Sequence, residues 1–401
     1  MWAYFASLAC AATGYIALLT VTPLVAEDLL GSRQWSGLPS SVAVVGTAFG
    51  TSWLARVMTR RGRRFGLVAG YLLASASALV VITGLLLESF ILLAAAMFFL
   101  GVGYGASRLT RYAAADLYPQ ERRASAISWI LWAGTVGSVV GPNLLEPAKR
   151  LVESFEMPEA AGGYAIALLG MAIAALVLRW VVPDELEATA AGVERIEGSD
   201  ERPGSWREPL RVAVVAMVVA QTTMVLVMTM TPIELRSRGF GFGFIGLVMS
   251  AHTLGMYALA PLTGFLADRW GRVPMIVSGS GLLSTAGLLA ATAEGSRVQL
   301  VLALFFLGLG WNAAFVSGSA LLTDRVPAAM RIRVQGAADS IVWTSAALAT
   351  VGSGLLMAVV GYRGLGAIGM AMAWIPLIVV FVYRAAVTRE PSARAGEATT
   401  P

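Results

Sequence analysis

Val212-Ala-Val-Val-Ala-Met-Val-Val-Ala-Gln221-Thr-Thr-Met-Val-Leu-Val-Met-Thr-Met-Thr231-Pro232-Ile233 carries no charged residue between Arg211 and Glu234. At a helical rise of 1.5 Å per residue this stretch reaches about 33 Å, enough to cross a ~30 Å hydrocarbon layer. Working outward with His counted as neutral, similar charge-free runs occupy 1–26, 34–55, 65–87, 89–107, 124–145 and 160–178 before it. After it they occupy 239–267, 273–293, 298–323, 340–362 and 364–383. Lipid offers no partners to backbone N–H and C=O groups, and barrel strands need only about ten residues, so runs of this length predict helices. The expectation is an all-α membrane protein with twelve transmembrane helices. At 57% hydrophobic and 13% charged, the chain is far from the roughly 25% charge of soluble domains.

Charge placement gives an orientation. With the amino terminus in the cytoplasm, 20 of the 29 Lys and Arg lie in or beside cytoplasmic segments, including Arg56, Arg60, Arg61, Arg63 and Arg64. Basic loops stay on the cytoplasmic side, which predicts a multi-pass cell-membrane protein with both termini cytoplasmic. The net charge of +5 is thereby a topology signal rather than a mark of nucleic-acid binding. The first run has no positively charged leader and no small-residue cleavage signal, so it is expected to be a retained helix. Cys10 stands alone, which leaves no internal disulfide and no cysteine metal cluster.

The apolar pattern stops over 183–211, a segment rich in both acidic and basic residues, and a polar tail follows at 386–401. These divide the chain into a six-helix bundle at 1–182, a cytoplasmic linker at 183–211, a second six-helix bundle at 212–385 and a cytoplasmic tail. The bundles repeat one another. Thr22-Pro23 falls on Thr231-Pro232, Gly62-Arg63 on Gly271-Arg272, and Phe98-Phe99-Leu100-Gly101 on Phe305-Phe306-Leu307-Gly308. Asp116, Pro119 and Arg123 fall on Asp324, Pro327 and Arg331, so every offset lies between 207 and 209. Paired parallel repeats of this kind predict a transporter with its site between the halves near the midplane.

Gly264-Phe-Leu-Ala-Asp268-Arg269-Trp-Gly271-Arg272 resembles the G-x-L-A-D-R-x-G-R loop motif of the major facilitator superfamily. The first half keeps Arg60, Gly62, Arg63 and Arg64 but has Thr59 where that family prefers Asp. The resemblance implies the family's fold of two pseudo-symmetric six-helix bundles. It also implies a gating latch of Asp268, Arg272 and Asp324, with Arg63 and Asp116 as a weaker counterpart; the alternative is that these residues only set topology. Gly137-Ser-Val-Val-Gly141-Pro142 is similar to part of the antiporter signature of exporters in that superfamily, against the alternative of ordinary small-residue packing.

Charges inside spans need a partner or a function. Arg108 and Arg111 share one helix face with Tyr104 and Tyr112, and the repeat-related positions are small or apolar, so the scaffold does not require them. In that superfamily the first and fourth helices of each half line the cavity, which would aim this stripe inward. The pair is expected to bind an anionic group of the substrate or to control a nearby carboxylate; the alternative is pairing with Asp116 or snorkelling to the surface, strongest for Arg111. His252 and Asp339 are the candidate proton-coupling groups, against the alternative that a lone histidine in a packed helix is a hydrogen-bonded structural residue. The buried carboxylate frequent in span one of the family is missing, since Glu27 and Asp28 come only at that helix's end. Gln221, Trp311, Asn312, Trp132 and Trp343, with Tyr15 and Tyr257, are candidate cavity-lining groups, although aromatic residues in spans more often pack or anchor.

No phosphate-binding glycine loop, paired histidines or nucleophile elbow is present, which argues against an ATPase, a metal site or an enzyme and predicts no cofactor. The reading is a monomeric secondary transporter that moves a small organic molecule by alternating access, by proton-coupled export. Import of an anionic metabolite is the alternative, and a non-transporting receptor or scaffold is the rival from another class.

Overall fold

The structure is a computed structural model that describes residues 1–30, 38–182 and 207–382. Within these, all regular structure is helical: α1 (Trp2–Leu30), α2 (Leu38–Arg61), α3 (Arg63–Leu86), α4 (Phe90–Ala115), α5 (Arg123–Asn143), α6 (Leu145–Glu153), α7 (Ala161–Val181), α8 (Arg207–Ser237), α9 (Phe242–Thr253), α10 (Ala260–Trp270), α11 (Arg272–Thr292), α12 (Arg297–Arg325) and α13 (Ala328–Met372). The expected linker lies outside the described residues at 183–206, while 207–211 opens α8. The expected tail at 386–401 also lies outside them.

Ten of the described helices are long and apolar enough to span a membrane, and eleven if the bent pair Phe244–Ala258 and Ala260–Trp270 is one span. The bend is 42°. It follows from Pro261, which offers no N–H to the carbonyl one turn back, and from a π-helical turn over Leu254–Ala258. The twelfth expected span lies within the stretch Ala328–Val382. Its length would be about 80 Å as one helix, more than twice a bilayer core. The chain turns there at Gly361, which has φ 66°, a left-handed conformation that glycine adopts without a Cβ clash.

The chain forms two compact units, Met1–Asp200 with Pro327–Leu348, and Glu201–Val326 with Ala349–Pro401. In the first, α1 packs on α5 and α7, and α4 packs on α2 and α3. Small residues allow these close approaches: a Cβ on Gly70 would stand 3.0 Å from the Gly103 carbonyl oxygen, and one on Gly46 would stand 3.0 Å from the Phe98 carbonyl carbon. The first half of α13 joins this unit through Ser340, whose Oγ donates to the Ala48 carbonyl at 2.6 Å.

In the second unit, α12 packs on α8, α9 and α11. A Cβ on Gly279 would stand 2.9 Å from the Gly310 carbonyl oxygen, and one on Gly255 would stand 2.9 Å from the Leu309 nitrogen. Gly70 and Gly279 are 209 residues apart, and Gly103 and Gly310 are 207 apart. The repeat seen in the sequence is therefore a repeat of helix contacts. Gly62 (φ 87°) and Gly271 (φ 99°) occupy the same left-handed turn, each one residue ahead of an arginine that opens the next helix.

Candidate functional site

The first unit holds a charged cluster built by two antiparallel helices, α4 and the start of α13. Arg111 and Asp339 form an ion pair of 2.5 Å between side chains that are 4% and 0% exposed. Tyr112 closes a triangle: Arg111 Nη2 donates to Tyr112 Oη at 2.9 Å, and that hydroxyl donates to Asp339 Oδ1 at 3.2 Å. Arg111 Nη1 donates to the Arg108 carbonyl at 2.7 Å. An unpaired charge is costly at this depth, and the pair gives each group an opposite charge and a hydrogen bond. Arg111 thus pairs with Asp339 and is buried rather than carried out to the surface.

One turn along, Arg108 has no carboxylate partner among the described residues. Its guanidinium lies 4.1 Å from the centre of the Trp343 ring and 5.1 Å from that of Tyr104. Tyr104 stacks flat on Tyr15 of α1, with centroids 3.7 Å apart and planes within 8°. The result is a pile of ring, ring, cation and ring, held by cation–π attraction in place of an anion. Three buried polar atoms at this cluster have no hydrogen-bond partner: Arg108 Nε, Trp343 Nε1 and Asp339 Oδ2.

In the second unit the expected polar groups separate into two sets. Trp311 Nε1 donates to Gln221 Oε1 at 2.8 Å, and the Trp311 ring stacks on Phe315 and meets Tyr257 edge-on. Asn312 Nδ2 donates to the Met256 carbonyl at 2.5 Å, inside the π-helical turn, and Asn312 Oδ1 accepts from Thr263. Asn312 thereby supports the break in the helix. His252 is buried with Nδ1 at 3.0 Å from the Leu304 carbonyl, which makes Nδ1 the donor and leaves Nε2 without a partner. Its repeat-related position is Ala43, and both backbones lie against a glycine of the fourth span in their half, Gly308 and Gly101.

The loop residues of the repeated motif form two ion-pair clusters. Arg272 bridges Asp268 and Asp324 at 2.9 Å each. Arg63 meets Asp116 at 2.5 Å. Where a carboxylate at position 59 would have completed the first cluster, Thr59 instead bonds back to the Ala55 carbonyl, and Arg63 Nη2 donates to Gln335 Oε1 at 2.8 Å. Gln335 was not anticipated. Its signal was spacing: Gln335, Asp339 and Trp343 recur every four residues and so share one face of α13.

Trp132 lies apart from Arg108. It stacks on Phe5 and meets Trp129, and Phe5 is ten residues, or about 15 Å of helix, from Tyr15. Gly137 and Gly141 seat α5 on α1, where their Cβ atoms would stand 2.7 Å from the Ala12 carbonyl carbon and 2.8 Å from the Thr13 oxygen. Close packing accounts for both glycines.

Comparison with known proteins agrees with this architecture. The sequence profile of the family described as Major Facilitator Superfamily matches residues 4–219 and 212–401. YddS of Bacillus subtilis, an uncharacterized MFS-type transporter, is 33% identical over 91% of this chain and 86% of its own. The riboflavin transporter RfnT of Brucella anthropi is 28% identical over 85% of this chain and 84% of its own. Among solved structures, a bacterial homologue of the iron transporter ferroportin in its outward-facing state superposes with a TM-score of 0.76 at 15% identity, covering 96% of this chain and 98% of that one, a likeness of fold.

Proposed function

The chain belongs to the major facilitator superfamily, a family of multi-pass secondary transporters, and on that footing we propose that it moves a small organic molecule across the cytoplasmic membrane by alternating access, as a proton-coupled exporter. The observation that carries the reading is the Arg111–Asp339 pair. A carboxylate buried in a span is stable as an anion only while the arginine faces it. Protonation of Asp339 removes the charge that holds Arg111, and the weakened contact lets α4 and α13 change their packing. Moving one proton charge through 100 mV supplies about 2.3 kcal/mol, sufficient to drive accumulation without a nucleotide.

In this reading Arg108, Tyr104, Tyr112 and Trp343 contact the substrate, and Gln221 and Trp311 are further candidates for such contact. His252 is the second coupling candidate, because its Nε2 has no partner and can accept a proton. The clusters around Arg63 and Arg272 act as gates at the cytoplasmic rim. Arg108, a cation without a carboxylate, also favours an anionic metabolite as cargo, which keeps import as the second reading. That a relative transports riboflavin is consistent with an organic substrate.

The test is flux in proteoliposomes of the purified chain, with and without an imposed pH gradient, over a panel of organic acids and amphipathic bases. Gradient-dependent movement that disappears in Asp339→Asn supports the proposal. Substrate movement indifferent to the gradient in the wild type rules out proton coupling.

A further inference from the structure

Resting on the reading that the Arg108 cluster meets the substrate, the unmatched atoms around it specify what that substrate looks like. Arg108 Nε and Trp343 Nε1 are buried donors without an acceptor, and Asp339 Oδ2 is a buried acceptor without a donor. Buried polar groups are rarely left this way unless a ligand or ordered water completes them. Two donors of this kind call for an oxyanion: the guanidinium edge and the indole N–H each take one oxygen of a carboxylate.

Shape narrows the class further. Trp343 lies over the Arg108 guanidinium at 4.1 Å, with Tyr104 at 5.1 Å and Tyr15 stacked behind it. A carboxylate that meets the open edge of a guanidinium lies in its plane, so whatever is attached continues beside these rings as a thin layer. An aromatic ring fits such a layer and gains from stacking, whereas a puckered saturated ring is too thick. The third atom sets a distance. Arg108 and Arg111 are three residues apart on α4, and Asp339 and Trp343 are four apart on α13, so the two layers are separated by about 4.5 to 6 Å. That is the span of one aromatic ring from its carboxylate to a polar substituent at the meta position.

We propose that the substrate is a planar aromatic or heteroaromatic acid, with its carboxylate held by Arg108 and the Trp343 indole N–H, and with a hydroxyl or ring N–H donating to Asp339 Oδ2. The full-length protein in detergent is titrated calorimetrically with four probes: 3-hydroxybenzoate, benzoate, 3-hydroxybenzamide and 3-hydroxycyclohexanecarboxylate. The hydroxy acid binds about tenfold or more tightly than the neutral amide and the saturated acid, and severalfold more tightly than benzoate. Arg108→Gln weakens it about tenfold, and Trp343→Phe, which keeps a ring but loses the N–H, weakens it severalfold. The wild-type preference series needs no variant to fold.

Equal binding of all four probes, binding of none up to about 10 mM, or undiminished binding in Arg108→Gln overturns the inference. Gradient-driven flux of another molecule with no binding of these acids overturns the inference and leaves the transport reading in place. Selective acid binding with gradient-independent flux supports the inference and removes proton coupling.

Discussion

Replacing Asp339 by Asn removes one charge from the centre of the described cluster while preserving its shape. Removing one partner of a buried ion pair typically destabilises by about 3 to 5 kcal/mol, because the other charge is left unpaired. Here the lower end applies. The Asn oxygen still accepts from Arg111 and Tyr112, and Arg111 keeps its bond to the Arg108 carbonyl at 2.7 Å. The expected loss is about 3 kcal/mol, or roughly a hundredfold in the folding equilibrium. Arg111→Gln leaves the carboxylate with Tyr112 alone, and its loss is similar or larger.

The double variant, Arg111→Gln with Asp339→Asn, removes both charges and restores a neutral hydrogen-bonded pair. It is expected to recover about 2 kcal/mol relative to the sum of the two single losses. The assay is denaturant-induced unfolding of purified protein in a single detergent, read by tryptophan fluorescence. Stability of Asp339→Asn within about 0.5 kcal/mol of wild type, or strictly additive single losses, would refute the claim that these two charges hold each other in the membrane.

Other consequences follow from the same geometry. Gly103→Val should abolish accumulation of folded protein, because even its Cβ would stand 2.5 Å from the Ala74 nitrogen, whereas Gly281→Ala, with open space around it, should be neutral; expression and monodispersity in detergent distinguish them. Arg272→Ala strands Asp268 and Asp324 beside each other, and hydrogen exchange is expected to show faster opening at the adjoining ends of α10, α11 and α12, with unchanged exchange refuting the latch. Lys149 lies outside the spans, where its hydrogen bond and charge contact with Glu159 raise its pKa above the ordinary lysine value. A raised lysine pKa adds stability that is present at all lower pH and is lost only as pH climbs through the raised value, so Lys149→Met should leave the pH profile of transport between about pH 6 and 8 unchanged. A profile altered by Lys149→Met would move the pH sensor out of the membrane.

The spans were legible because bilayer thickness fixes how long a charge-free run must be. The repeat was legible because glycines and arginines recur where the two units make the same helix contacts, as at Gly70 with Gly103 and at Gly279 with Gly310. The ion-pair clusters around Arg63 and Arg272 were also readable, since the loop motif sets Asp268 one turn from Arg272 and the repeat carries Asp116 and Asp324 at matching positions. What the sequence could not supply was the partner of Arg111. Asp339 is 228 positions away, and nothing local indicates which face of α13 meets α4. For the same reason Gln335 was missed, although its four-residue spacing from Asp339 was in view. The broken eighth span was hidden as well: Pro261 marks a weak point, but the π-helical turn depends on Asn312 reaching the Met256 carbonyl from α12.

The most direct test of alternating access uses the single native cysteine, Cys10. In a Cys10→Ser background, Trp343→Cys places one thiol in the Arg108 cluster, and a membrane-impermeant maleimide is applied to oriented vesicles from either face. The account predicts labelling from both faces, with the balance shifted by an imposed pH gradient and by substrate. Labelling from one face only under every condition, or from neither, would contradict it.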